Sequence, residues 1–365
     1  MPLYLPYFFV ALGISLFAMF VPDLNSYTGD FKNEISYRNR YKQLLFCITI
    51  ILFAFCAFKM VSADSVDEYA YRRRFNNYAN YSFQDMFELC DGEYVNGILV
   101  WLSTCIFRDT QGIFIVFNGL SVIFYLNAIK KYSIDYAFGI MLLMVTGIIS
   151  TSFNITQQSL ACAIFACYCV VINDRRPFRF ALLVAVCFWI HKTSLIMVLF
   201  YLCGRRSKGG VKVYAYIPLV SFLIGFLYLN IGKIAPFFGM LDQYVSIAEQ
   251  GHAGVRILTI IINCVPGVLA LMSRNMVDDE DGITALSANM CLLHMGIYMA
   301  SYLDRYIARL AMFSAPFVVI FLSRSRRFFR TDQDFQLFKI LAVSLYSIEL
   351  FLRMRGTTYM FNFVL

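Results

Sequence analysis

A chain of 365 residues that is 60% hydrophobic and only 15% charged, with a mean hydropathy of +0.65, is not a soluble globular domain, since such domains carry charge on about a quarter of their residues. It reads as an integral membrane protein: an all-α polytopic helical bundle, one membrane domain over 1–365. The net charge of +8 lies in short segments between apolar runs rather than on one basic face, which points to the bilayer as the surroundings and argues against nucleic acid as a partner.

A crossing helix needs about 20 apolar residues. In chain order, the expected spans are 4–21, 43–60, 112–129, 136–152, 156–172, 214–229, 256–272, 283–301, 306–322 and 335–352. That makes about ten full crossings, with short or re-entrant helices besides. The first run lacks a basic leading region and a small-residue cleavage site, so it is expected to be a span and not a signal peptide. Basic residues cluster in 31–42, at Lys130–Lys131, and in 173–179, 203–212 and 324–330. The positive-inside rule places all five in the cytoplasm and both chain ends outside. Segment 95–129 then crosses once, so either 95–107 or 112–129 is incomplete.

The same rule bears on FALLVAVCFWIHKTSLIMVLFYL, 180–202. Both of its flanks are basic, so two half-helices folding back near His191 satisfy the charge pattern. A single tilted span with one basic loop outside is the alternative. Either way, His191 and Lys192 point away from the cytoplasm toward a polar interior, because a charge in lipid is costly. No second break is expected near 283–322.

On this topology the external segments are chemically rich. Loop 61–94 is the longest; it carries Asp64, Asp67, Glu68, Asp85, Glu88, Asp91 and Glu93 among interleaved aromatics such as Tyr69. That mixture predicts short helices lying on the membrane interface. The turn before span 156–172 holds Asn154, Gln157 and Gln158, amides that can meet a sugar hydroxyl or phosphate at a helix start; simple capping by Asn154 is the plain alternative. Segment 230–256 offers Tyr244, His252 and Arg256, SYLDRYIAR offers Asp304, Arg305, Tyr306 and Arg309, and LRMRG offers Arg353 and Arg355. Guanidinium forks match phosphate geometry. The sequence has no Walker loop, zinc motif or dinucleotide fingerprint. Its eleven cysteines fall mostly in apolar runs without paired metal-ligand spacing, so neither cofactor nor metal is expected.

The order of these features resembles the EpsG family, a branch of the Wzy-type bacterial O-antigen and capsule polymerases. The strongest part is FNITQQSLACAIFACYCVVINDRRPFRFALLVAVCFWIHKTSLIMVLFYL. It is similar to a family pattern F-N-x-x-R-Q-x-x-A, a basic turn with an aromatic, and an apolar run ending F-H-x-[ST]-A. Phe153, Asn154, Gln158, Ala161, Arg175, Arg176, Phe178 and His191 match; Gln157 stands for the family arginine. SADSVDEY, with Asp64, Asp67 and Tyr69, and DRYIARLAMF, with Arg305, are looser matches.

The resemblance implies a fold similar to the GT-C membrane glycosyltransferases. It also implies a polymerase at the outer face of the bacterial cytoplasmic membrane, joining repeat units carried on undecaprenyl diphosphate, and a chain-length regulator as a further partner. In such an enzyme Arg305 and Arg309, with Arg256, Arg353, Arg355 and Lys192, would stabilise the leaving diphosphate. Asp64, Asp67 or His191 would take the acceptor's proton, and Asn154, Gln157, Gln158, Tyr69, Tyr244, His252 and Tyr306 would contact substrate. Two alternatives share the frame: another GT-C-type transferase or O-antigen ligase, and a transporter of lipid-linked sugars, which predicts paired broken helices.

Overall fold

A computed structural model describes residues 66–174, 176–204, 211–230, 253–276 and 282–354, with a few isolated positions besides. Spans 4–21 and 43–60 lie almost wholly outside the described residues, and Asp64, Tyr244, His252 and Arg355 lie outside them entirely. The described residues form sixteen α-helices and no strand. The chain divides into two compact units: Met1–Val171, Pro177–Leu195 and Phe329–Leu365 in the first, Ile172–Arg176 and Ile196–Phe328 in the second.

In the first unit, loop 61–94 folds into α1 (Val66–Ala79) and α2 (Phe83–Leu89), followed by α3 (Tyr94–Ile106) and α4 (Gln111–Tyr132). Ser82 opens α2 with a capping box, its hydroxyl accepting from the Asp85 N–H while Asp85 accepts from the Ser82 N–H. In the run Arg72-Arg73-Arg74 each residue faces differently. Arg72 ties α1 to the start of α4 through Thr110 and Gln111, with its guanidinium 5.3 Å from the Phe114 ring centre. Arg73 is exposed, and Arg74 turns toward Glu93.

Helix α4 packs on α7 (Thr156–Cys167). Phe117, Ser121, Tyr125 and Ala128 of α4 are fully buried, as are the small residues Ser159, Cys162, Ala163 and Ala166 of α7. Small side chains let two backbones approach closely in a membrane. The approach brings the Tyr125 hydroxyl to the Ser159 carbonyl at 3.1 Å and the Tyr132 hydroxyl to the Cys167 carbonyl at 2.9 Å.

Expected span 136–152 is broken into α5 (Tyr136–Val145) and α6 (Ile148–Ser152). The cause is Gly147, at φ +81, where an L-residue pays a steric cost. Arg353 of α16 (Asp332–Met354) caps the break, its Nη2 donating to the Thr146 carbonyl at 3.1 Å while pairing with Glu349 at 3.4 Å. A Cβ at 147 would overlap that guanidinium, whereas one at Gly92, φ +78, meets nothing within 4 Å. Gly92→Ala is therefore expected to cost only the backbone term, roughly 1–2 kcal/mol. Gly147→Ala adds the loss of the Arg353 cap and should lower the thermal midpoint of the solubilised protein by clearly more than Gly92→Ala. Equal shifts would contradict the capping role.

Span 156–172 likewise divides, into α7 and the short α8 (Val170–Asn173), and α9 (Pro177–Ile190) follows.

The second unit holds α10 (Met197–Gly204), α11 (Val211–Leu229), α12 (Ile257–Met272), α13 (Gly282–Ala300), α14 (Arg305–Leu310) and α15 (Ala315–Ser323). Helix α13 is its hub, packing against α10, α11, α12 and α15. Close approach is again by small groups: the Ser221 hydroxyl donates to the Gly296 carbonyl at 2.8 Å, and Gly267 lies against Met295 and the Cys291 carbonyl. Helices α14 and α15 bend by 53° at Ser314. Pro316, which has no N–H and whose ring would clash with the preceding turn, marks the new start. His294 braces this bend, with Nδ1 2.9 Å from the Ser314 hydroxyl and Nε2 3.4 Å from Asn263 Oδ1. A break near 283–322, not expected from sequence, is thus present.

Among the described residues, α4, α13 and α16 are long and apolar enough to cross a bilayer, and α14 with α15 adds a fourth if the bent pair is one span. Within 95–129, α4 is long enough to cross and α3, at 13 residues, is not.

A charged cluster at a broken membrane helix

Helix α9 ends at Ile190, His191 is non-helical, and a 3₁₀ turn runs over Lys192–Ile196. The Ser194 hydroxyl reaches back seven residues across the interruption to the Cys187 carbonyl at 3.0 Å, and that carbonyl also accepts the His191 N–H at 2.8 Å. The expected interruption at His191 is therefore present in the backbone.

Opposite it, Asp91 (φ 47) and Gly92 (φ 78) make a tight left-handed turn between α2 and α3. Asp tolerates this region better than most residues. The turn delivers two carboxylates to the break. Lys192 Nζ, on a side chain 6% exposed, donates to Asp91 at 2.6 Å. Glu93, although it precedes the first residue of α3, does not cap its own helix. Its Oε1 instead lies 3.2 Å from His191 Nδ1 and accepts the Lys192 backbone N–H at 3.1 Å. Its Oε2 accepts from Asn96 Nδ2 at 2.9 Å and lies 3.8 Å from Arg74 Nη1.

Burial pushes the Glu93 carboxyl up. The His191 hydrogen bond and charge, the Arg74 charge and the Lys192 N–H pull it down, and they win: it lies below the usual glutamate value and is ionised at neutral pH. Two buried polar atoms beside this network, Asn96 Oδ1 and Thr193 Oγ1, have no hydrogen-bond partner among the described residues.

Sequence reasoning named His191 and Lys192 but chose Asp64 and Asp67 as the acids. Among the described residues, Glu93 and Asp91 are the carboxylates within hydrogen-bonding distance of the pair; Asp64 lies outside the described residues. Asp67 lies in the first turn of α1, where Tyr69 is 68% exposed. A signal was present in CDGEYVNG: an Asp-Gly turn followed by a glutamate directly abutting an apolar helix.

The amide group sits in the same unit. Asn154 does not cap α7; the cap position is Ile155, with no side-chain bond, because the chain leaves α6 through a turn in which the Asn154 and Ile155 N–H groups return to the Thr151 carbonyl. Gln157 and Gln158 are buried, and Gln157 Nε2 finds no acceptor among the described residues. An orphaned buried donor costs about 1–3 kcal/mol. Arg353 is engaged at the α5–α6 break as described above.

The second unit holds its own cationic group. Asp304, 2% exposed, caps α14 through the Tyr306 N–H at 2.8 Å and accepts from the Tyr228 hydroxyl. Arg305 and Arg309, one turn apart, lie 5.7 and 4.4 Å from the Tyr306 ring centre. Arg256 precedes α12 and is exposed; beside it the Val255 N–H donates to the Ser301 carbonyl at 2.9 Å, and Gly254 lies so close to the Tyr302 carbonyl that no Cβ fits.

Comparison with curated proteins and with solved structures returns no match. The sequence profile of the EpsG family, a family of Wzy-like polymerases, matches residues 42–364 and so spans both charged clusters. With that extent of match, the chain belongs to the EpsG family.

Proposed function

We propose that this EpsG-family membrane protein is a glycosyltransferase that polymerises polysaccharide at the external face of the bacterial cytoplasmic membrane. It transfers a growing glycan from undecaprenyl diphosphate to a sugar hydroxyl of the next lipid-linked repeat unit. The observation that carries this reading is the break in an apolar segment at His191, where an imidazole with one ring nitrogen bound, and the other without a hydrogen bond among the described residues, sits beside the buried charges of Glu93 and Lys192. His191 takes the acceptor's proton. In the second unit, Arg305 and Arg309 offer a guanidinium pair of the kind that a departing lipid diphosphate requires. The unsatisfied Gln157 amide donates to a sugar or phosphate oxygen.

The test is the purified protein in lipid vesicles, given undecaprenyl-diphosphate-linked repeat units. A ladder of products spaced by one repeat is expected. Single additions would instead identify a ligase or simple transferase. A second reading, transport of lipid-linked sugars, is favoured by one observation: the break at His191 has a counterpart in the 53° bend at Ser314, and paired broken helices occur in transporters. Movement of the labelled lipid across the vesicle without any new glycosidic bond would establish that alternative.

A further inference from the structure

We propose that Glu93 is the positioning residue for His191, holding its ring so that Nδ1 carries the proton and Nε2 is presented as the base for the acceptor hydroxyl. This rests on reading the chain as a glycan polymerase, and it names the acceptor side of that reaction.

The geometry argues it in three steps. An ionised carboxylate only accepts hydrogen bonds, so the His191 nitrogen 3.2 Å from Glu93 Oε1 must be the protonated one. The same oxygen accepts the backbone N–H of Lys192 at 3.1 Å. One carboxylate oxygen thus grips both the ring and the main chain just after it, which fixes the ring's direction as well as its tautomer. Oε2 is anchored in turn by Asn96 Nδ2 at 2.9 Å, with Arg74 Nη1 at 3.8 Å, so the carboxylate is held from α1 and α3 and cannot swing with the ring. His191 Nε2 has no hydrogen bond among the described residues, and the side chain is 20% exposed. The imidazole is therefore tied on one edge and open on the other.

The chemistry balances without another reactant. The acceptor O–H gives its proton to Nε2 while its oxygen forms the new bond to the anomeric carbon. The bond from that carbon to the diphosphate oxygen breaks, and its electron pair leaves with the lipid diphosphate. The imidazolium so formed lies against the negative Glu93, and it returns its proton to water before the next cycle. The charged groups around the ring are Glu93 and Asp91 from the α2–α3 turn, Arg74 from α1 and Lys192 from the chain after α9.

The experiment compares wild type, Glu93→Gln and Glu93→Asp in vesicles, measuring kcat and KM. It is paired with ¹⁵N-histidine spectra; the chain has only three histidines, so His191→Gln assigns the signal. The wild-type His191 signal is expected to show the Nδ1–H tautomer. Glu93→Gln should lower kcat roughly 10- to 100-fold with KM within about twofold and release the tautomer. Glu93→Asp should restore part of the rate and return the tautomer toward wild type. An unmoved tautomer in Glu93→Gln would overturn the proposal whatever the loss of rate. If that variant does not fold, an Nε2–H signal in the wild type does the same and an Nδ1–H signal supports it. Full activity in His191→Ala would sink the polymerase assignment of this site, yet the tautomer would still report whether Glu93 orients the ring.

Discussion

His191→Ala is expected to reduce chain extension by about 10²- to 10⁴-fold, the range for a positioned general base. The readout is product length and initial rate on lipid-linked repeat units. The loss should be chemical and not structural. Alanine at 191 keeps the backbone N–H that bonds the Cys187 carbonyl. It leaves Glu93 with the Lys192 N–H, Asn96 and Arg74 as partners. Loss of one donor to a buried carboxylate costs about 1–3 kcal/mol of stability, a penalty visible as a lower midpoint but too small to abolish a folded population. A variant that stays monodisperse and inactive fits the proposed role. One that extends chains at the wild-type rate removes His191 from the mechanism.

Arg305→Ala should show the second large effect, about 10²- to 10³-fold in kcat, the usual consequence of removing one group that stabilises developing negative charge. Function and folding separate cleanly here. Arg305 is exposed, and its guanidinium lies 5.7 Å from the Tyr306 ring centre. An exposed cation–π pair contributes about 0.5–1 kcal/mol, so the variant should fold nearly as well as wild type. Arg305→Lys should recover little, because an ammonium lacks the planar fork that meets two phosphate oxygens at once. Arg309→Ala is expected to act in the same direction, with a larger stability cost from its closer stacking at 4.4 Å. Wild-type turnover in Arg305→Ala would show that this guanidinium does not meet the diphosphate.

Much of this was legible before any coordinates. Low charge and long apolar runs dictate helices, because lipid offers no partner for an unpaired peptide group. The interruption at His191 was readable from the polar HKTS step within an apolar run. The short helices of loop 61–94 followed from aromatics interleaved with charge, and α1 and α2 are there. The break at Ser314 went unseen because an Ala-Pro pair also suits an ordinary helix start. The break at Gly147 went unseen because a glycine inside a span is usually tolerated; only a positive φ and an arginine arriving from α16 mark it as a stop.

The site divides the same way. Composition and local pattern determine what is nearly independent of partners: that the chain is helical and membrane-bound, which residues carry imidazole and guanidinium, and where a polar step must interrupt an apolar run. The choice of Glu93 among seven carboxylates in one loop, the diversion of Arg353 to a helix end and the burial of Asp304 under Tyr228 were decided by tertiary structure alone. The physical reason is that a carboxylate's state depends on donors brought from elsewhere in the chain. His191 lies 98 residues from Glu93, and no local pattern encodes that the two meet.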